Sequence, residues 1–409
     1  MSYAYAVKAG PWILMTGHEA YDWATGTPSH VTGPPGFPLY GRSRSRREGD
    51  FILQRMRTIL GEFGTDFTHS VRLDQYYPNP KAVAAYHLSR HAEFHDYIPP
   101  STSVVMERCF CAQATISTSL IAVMPEPGYE IRKVHPRGVA SAPTSLFVPA
   151  IVCNDFVFVA GQMAHNPGEG LDARASVPEH SAWAGTPIRK QTEFLILHKL
   201  KPALEAAGSS LERSLKAQIY LANVEDAPDC LDVWNEYYAS VPCAVTVVPT
   251  KSFATAGGLI EINLIALTDT ATRRREVIEA DIPGMAAYGP CIKVGEFLLP
   301  SGLIAIDRDG HVAGTKVSAS FAGLSHAGYC QAAAIYDYAE ALCRAAGTEL
   351  GQILRAQYFV SDVTAFPGIS MAWSKRFGRQ PHPFVCVETP PQMPAPGVAM
   401  IADFWISTA

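Results

Sequence analysis

The stretch AYHLSRHAEFHDY sets His87, His91 and His95 four residues apart. On a helix that interval puts all three along one face, and paired imidazoles one turn apart can bind zinc. No other ligand type accompanies them, so a solvated or packed face is the competing reading and no metal is expected. Upstream, Arg42, Arg44, Arg46 and Arg47 lie in HVTGPPGFPLYGRSRSRREGD (30–50), an insertion rich in glycine and proline. It can act as a lid that carries guanidinium groups to a site, or as a cationic surface at a helix start. Cys291 and Cys386 have no base beside them in sequence and read as buried, inert thiols. There is no P-loop, no G-x-G-x-x-G before a helix, no H-E-x-x-H and no G-x-S-x-G. Phosphate, dinucleotide and serine-hydrolase chemistry therefore lack motif support.

The elements that must position any site repeat along the chain. Alternating apolar strands close on Thr16-Gly17, Ala160-Gly161 and Ser301-Gly302, and each is followed, past a helix-spaced apolar pattern, by Gly64, Gly208 or Gly347. Those glycines fit helix C-caps, where a positive φ costs little. Polar strand ends follow at Asn79, Asn223 and Asp362, then a second helix, a proline (Pro99, Pro242, Pro381) and two more strands. The order β-β-α-β-α-β-β predicts an α+β unit with both helices on one face of a sheet. Three such units are expected, at 1–125, 140–268 and 280–409. The intervening segments read as junctions, in which "RKV" and "RREV" can begin edge strands.

Composition narrows the partners. The 409 residues carry 38 acidic against 33 basic groups, a net charge of −5, without the basic excess that nucleic-acid binding needs. Nine cysteines with no C-x-x-C pair suggest reduced thiols, and no apolar run is long enough to cross a membrane. The expectation is a soluble, cytoplasmic protein with a small-molecule substrate, no cofactor, no nucleic acid and no membrane partner.

The tyrosine-to-SG strand, the "EAAG" helix end, "IYLANVEDA" and the "EIxxIA" strand make all three units similar to the Rid (YjgF) family of small trimeric enamine and imine deaminases. The resemblance implies a chorismate-mutase-like fold and a whole trimer fused into one chain, a pseudo-threefold barrel with helices outside and a cleft between each pair of neighbours. Further self-association of the fused chain stays open. It also implies an arginine in a "P-x-R" turn that clamps a substrate carboxylate. Here Ser101, Ala244 and Pro383 are expected at that position, which puts ordinary 2-aminoacrylate-type deamination in question.

Carried over residue by residue, the family tyrosine is Tyr3, Phe147 or Tyr288, and the small residue is Thr16, Ala160 or Ser301. The strand position after the turn is Ser103, Thr246 or Val385, and the acidic residue is Ser119, Asn263 or Asp403. The resemblance thus implies Asp403 as general acid/base, with Tyr288 and Ser301 orienting substrate and water. Tyr3, Thr16, His18, Ser101, Ser103 and Asn263 are the candidate substrate-binding residues, His18 with an imidazole able to act as a base near neutral pH. The alternative is that Asp403 is a structural cap or ion-pair member and the tyrosines are core aromatics. The second unit, with Phe147, Ala160 and Ala244, is expected to be the least able to do chemistry. The implied activity is addition or removal of water at a small enamine, imine or enol-type substrate, as in a deaminase, hydrolase or lyase. Chorismatases, which look like fused Rid-type trimers, make a cyclic enol ether a variant of that class. The alternative is a noncatalytic small-molecule binder or scaffold with decayed clefts, and ribonuclease activity is a distant third.

Overall fold

The structure, a computed structural model, describes residues 3–139, 145–178, 181, 185–253, 255–314 and 327–409. Among them are three large mixed sheets built in the same order. The first runs Ala6–Ala9, Trp12–Met15, Ser117–Val123, Ser70–Tyr77, Ser101–Val105. From its far edge inward, the second runs Ile131–Val134, Ala150–Cys153, Phe156–Met163, Ile260–Leu267, Ser214–Leu221, Ala244–Pro249. The third runs Arg275–Ile278, Cys291–Val294, Phe297–Leu299, Met400–Ser407, Ile353–Val360, Phe384–Glu388, and ends on Arg108–Cys109 from the first unit. Both junction segments do form edge strands, IRKV and REVI.

In each sheet the central strand is antiparallel to the last strand and parallel to the one before it. The parallel pair needs a crossover, supplied by the helices Lys81–Phe94, Ala227–Tyr238 and Phe366–Phe377. The central strands share a register irregularity, at Ser70/Arg72, Ser214/Lys216 and Ile353/Arg355. That common bulge makes Leu73, Ala217 and Ala356 equivalent, and their parallel partners are Ser101, Val245 and Phe384. The turn position expected at Ala244 and Pro383 is therefore shifted by one residue in the second and third units.

The anticipated C-cap glycines hold their left-handed backbone, with φ of +79° at Gly64, +76° at Gly208 and +77° at Gly347. Gly328 works differently: a Cβ there would stand 2.3 Å from the carbonyl oxygen of Ala365, so the long helix of the third unit rests directly on the backbone before the next helix. Gly328→Ala is expected to destabilise the fold by about 1–3 kcal/mol, read as a lower urea midpoint with an unchanged slope.

Each sheet packs one face on its own helices, giving separate cores around Ile52 and Leu120, around Leu204 and Ile262, and around Ile335 and Phe404. The opposite faces meet one another. Trp12, Phe156, Phe158, Phe297 and Trp405 form one shared apolar layer, and Val104, Tyr220, Val248, Phe359 and Ile401 belong to another. Between them along the central strands lie Arg72 and Asp74, Lys216 and Gln218, and Arg355 and Gln357, all buried. Arg355 Nη1 donates to Asp74 Oδ2 at 3.1 Å, Arg72 Nη2 to Gln218 Oε1 at 2.5 Å, and Gln218 Nε2 to Gln357 Oε1 at 2.8 Å. The expected closed barrel is not what these contacts make. The ladders remain three sheets, joined by the Arg108–Cys109 pairing and by isolated bridges such as Val105 to Ser252 and Tyr3 to His382. Side-chain packing, not a continuous strand ladder, closes the interior.

Candidate functional site

Clefts open where the parallel-paired edge of one unit meets the glycine-ended strand of the next. Between the first and second units lies a cavity of about 360 Å³, bounded by Val83, His87, Ser101, Ser103, Phe147 and Glu261 and by the 161–170 segment. Glu261 comes from Ile260–Leu267, a strand otherwise apolar near it, and is 5% exposed. Its Oε1 lies 3.4 Å from the backbone nitrogen of Ser103, a long contact. Burial pushes its carboxyl up to about 8, with the charge of Asp74 adding to the rise and the Ser103 N–H opposing it. The group is therefore a protonated acid at neutral pH.

Gly161 makes room for this carboxyl: a Cβ there would come within 2.0 Å of Glu261 Oε1. Gln162 and His165 line the same wall, the latter with Nε2 2.9 Å from the carbonyl of Ala256. Behind Ser101 stands the buried guanidinium of Arg90, from the helix Lys81–Phe94. It donates to Gln75 Oε1 at 3.0 Å and to the Ser145 carbonyl at 2.5 Å, and reaches Ser101 Oγ at 3.5 Å. Burial lowers its affinity for the proton, and among the described residues no carboxylate pairs with it.

The other two clefts differ. The second and third units leave an open groove of about 640 Å³ between Val224, Pro228 and Leu231 on one side and Tyr288 and residues 391–398 on the other. The third and first units leave an outer groove of about 730 Å³ between residues 6–11 and 351–354, and at the junction equivalent to the other clefts a cavity of about 20 Å³ among Tyr3, Tyr5, Tyr21, Trp23, Phe110 and Phe384, with Glu19 on the wall.

The three residues implied as catalytic do not share a cavity. Tyr288 faces the open groove, its hydroxyl pushed up to about 12 by burial. Ser301 lines a different cavity and is committed to backbone, donating to the Pro290 carbonyl at 2.8 Å and accepting from the Val245 N–H at 2.9 Å. Asp403 is fully buried in the interior band, 3.0 Å from Lys216 Nζ and 2.5 Å from Thr246 Oγ1. It occupies the ion-pair role that was its alternative.

Among the substrate-binding candidates, Ser101 and Ser103 do line the cleft between the first and second units. Tyr3 lines the small cavity, but its hydroxyl donates to the Gly17 carbonyl at 2.5 Å, and Thr16 Oγ1 sits 2.6 Å from the Ala4 carbonyl. His18 is buried with Nε2 3.0 Å from the Tyr5 carbonyl, and burial lowers it to about 3, far from a base poised near neutral pH. Asn263 points into the interior, its Nδ2 2.9 Å from Thr102 Oγ1.

The charged insertion is also explained by structure. Arg47 holds the loop by donating to the carbonyls of Val31, Thr32, Pro38, Tyr40 and Arg42, while Arg42 and Arg46 pair with Asp50 and Arg44 with Glu48. None of the four lines the three clefts. The histidine row is cut short, since the helix ends at Phe94 and His95 has φ +50°.

Sequence reasoning passed over Glu261 and Glu19, and ranked the second unit last although it provides the carboxyl of the roomiest enclosed cleft. The signal was present: Glu261 is a lone charge inside GLIEINLIAL, two residues before Asn263 on the same strand face.

A family model described as Endoribonuclease L-PSP matches residues 138–268, the stretch holding the second sheet except its edge strand Ile131–Val134, and its helices. Over 128 residues, 31% of the chain, the sequence is 31% identical to a RutC family protein of Pyrococcus horikoshii, covering 90% of that protein. Over 142 residues, 35% of the chain, it is 25% identical to the 2-iminobutanoate/2-iminopropanoate deaminase of Bos taurus, covering 94% of it. Among solved structures, yeast Mmf1 aligns at 20% identity and a TM-score of 0.28, over 34% of this chain and 100% of that one. Because a stretch of 128 residues covers 90% of the Pyrococcus protein at 31% identity, the chain belongs to the RutC family, known also as Rid or YjgF.

Proposed function

We propose that the chain is a Rid-type enzyme that adds or removes water at the C=N or C=C bond of a small enamine, imine or enol compound, in the cleft between its first and second units. The observation that carries this reading is Glu261, a carboxyl kept protonated at neutral pH beside a cavity of about 360 Å³. For an imine, Glu261 gives its proton to the nitrogen as water adds to the carbon. The water's surplus proton returns to the carboxylate, which then protonates the nitrogen again and takes the carbinol O–H proton as the C–N bond breaks, leaving a carbonyl and an amine. Ser101, Ser103 and Gln162 offer hydroxyl and amide groups to orient the substrate. Arg90 lends positive charge from behind Ser101, a cation brought in from a helix where the turn itself has none. The imine deaminase among the relatives supports the reaction class.

We further read the chain as three fused Rid units in the place of three subunits. The shared strand order and the bulge repeated in each central strand support this, as does a relative that one unit nearly spans.

A noncatalytic binder is the second reading, favoured by Ser101, Val245 and Phe384 standing where the resemblance places an arginine. Gly161→Ala separates the two, because its Cβ displaces Glu261 without removing any polar group. With imines generated in situ and carbonyl product followed, wild-type turnover and at least a tenfold loss, about 1.4 kcal/mol of barrier, in a folded variant are expected. Absence of turnover over a panel of imines, enamines and enol ethers would leave the binder.

A further inference from the structure

The small cavity between the third and first units has a composition unlike either of the other clefts. Six aromatic side chains bound it, with neighbouring ring centroids 4.8 Å apart for Tyr3 and Tyr5, 4.9 Å for Tyr3 and Phe384, and 5.8 Å for Trp23 and Phe110. Glu19 lies on the wall, 7% exposed, accepting from the N–H groups of Phe110 at 2.9 Å and Cys111 at 2.7 Å. Among the described residues no lysine or arginine forms an ion pair with it. Arg55 borders the same space, yet it donates to the carbonyls of Glu19 and Tyr21 and lies over the rings of Tyr5 and Phe51. Ser117 Oγ is buried on this wall beside the Glu19 carboxyl, which its hydroxyl helps to hold ionised.

Burial raises the Glu19 carboxyl to about 7, so it is part ionised at neutral pH, and a positive ligand among the aromatic rings would complete its ionisation. The volume of about 20 Å³ restricts that ligand to one or two water-sized groups. We propose that this cavity binds the ammonium head of a small alkylamine, with Glu19 as its counterion and the Tyr3, Trp23, Phe110 and Phe384 rings around its methyl or methylene carbon. The head donates N–H to the carboxylate and to Ser117 Oγ, which supplies the acceptor that the ring faces do not. Arg55, at the edge of the space, opposes the bound charge and sets an upper limit on its affinity. This site is separate from the cleft that holds Glu261, and does not depend on what that cleft does.

The test is calorimetric titration of the full chain with methylammonium chloride, with tetramethylammonium chloride and sodium chloride at matched ionic strength as comparisons. Saturable binding of methylammonium is expected, with none of tetramethylammonium, which the cavity is too small to admit. Glu19→Gln should weaken binding about tenfold or more. Arg55→Gln should tighten it about threefold by removing a like charge. These opposite signs cannot both come from a damaged fold. The proposal is overturned if methylammonium does not saturate a site, if tetramethylammonium binds equally well, if Glu19→Gln binds like wild type, or if Arg55→Gln weakens binding.

Discussion

Lys216→Met is expected to destabilise the protein by about 3–5 kcal/mol, the largest stability change of any single substitution considered for this chain. Lys216 Nζ sits 3.0 Å from Asp403 Oδ2 and 2.6 Å from the carbonyl of Pro300, at 2% side-chain exposure against 0% for Asp403. Removing the ammonium strands a carboxylate in an apolar strand, with only the Thr246 hydroxyl and the Gln218 amide to compensate. The cost comes from the unpaired partner and not from the pair itself, so the double variant Lys216→Met with Asp403→Leu should recover much of the loss. Urea denaturation of wild type, both single variants and the double variant gives the cycle. If Lys216→Met cost less than about 1 kcal/mol, as an exposed pair does, this account of the interior band would fail.

Glu261→Gln is expected to lower turnover by about 10²–10⁴-fold, because the amide keeps the shape of the side chain but has no proton to transfer at neutral pH. Activity of the wild type should fall as pH rises through about 8, where the carboxyl ionises. Stability has its own sign. The folded value is raised above the ordinary 4.5, so the folded state holds a proton that the unfolded chain has lost. The contribution to stability is complete below pH 4.5 and is lost as pH climbs to about 8. Glu261→Gln has no such loss, so it should be relatively more stable than wild type at pH 9 than at pH 5. Thermal melts at the two pH values check this independently of any substrate, and an unchanged difference between them would show that Glu261 is not buried as a neutral acid.

The clefts differ in the residues that stand at equivalent strand positions. Identical subunits would carry the same residue at every equivalent place, whereas here the position of Glu261 is Ser117 in the first unit and Ile401 in the third. The third unit compensates in the interior, where Asp403 stands at the position of Ser119 and Asn263 and ties its sheet to Lys216 of the second. Carboxyl groups that resemble one another in a sequence register thus serve an open cavity in one unit and the packing of sheets in another.

Local architecture was legible in the periodicity of the chain. Apolar alternation, the three C-cap glycines and the recurring order of strands and helices are short-range features, and each is present where the periodicity placed it, down to the edge strands IRKV and REVI. Strand alternation also put Asp403 on an inward face, but could not say whether inward meant toward a ligand or toward another sheet. Packing between the sheets settles it, because an inward side chain two residues earlier or later along a strand meets a different neighbour: Glu261 reaches a cavity and Asn263 a Thr102 hydroxyl across the same interface. The same is true of His18, whose imidazole is removed from physiological titration by burial that no pattern of neighbours in sequence reveals. Burial and charge pairing between units arise from contacts over a hundred residues apart, as in Gln218 to Gln357, and those contacts decide which polar residues support the fold and which face a ligand.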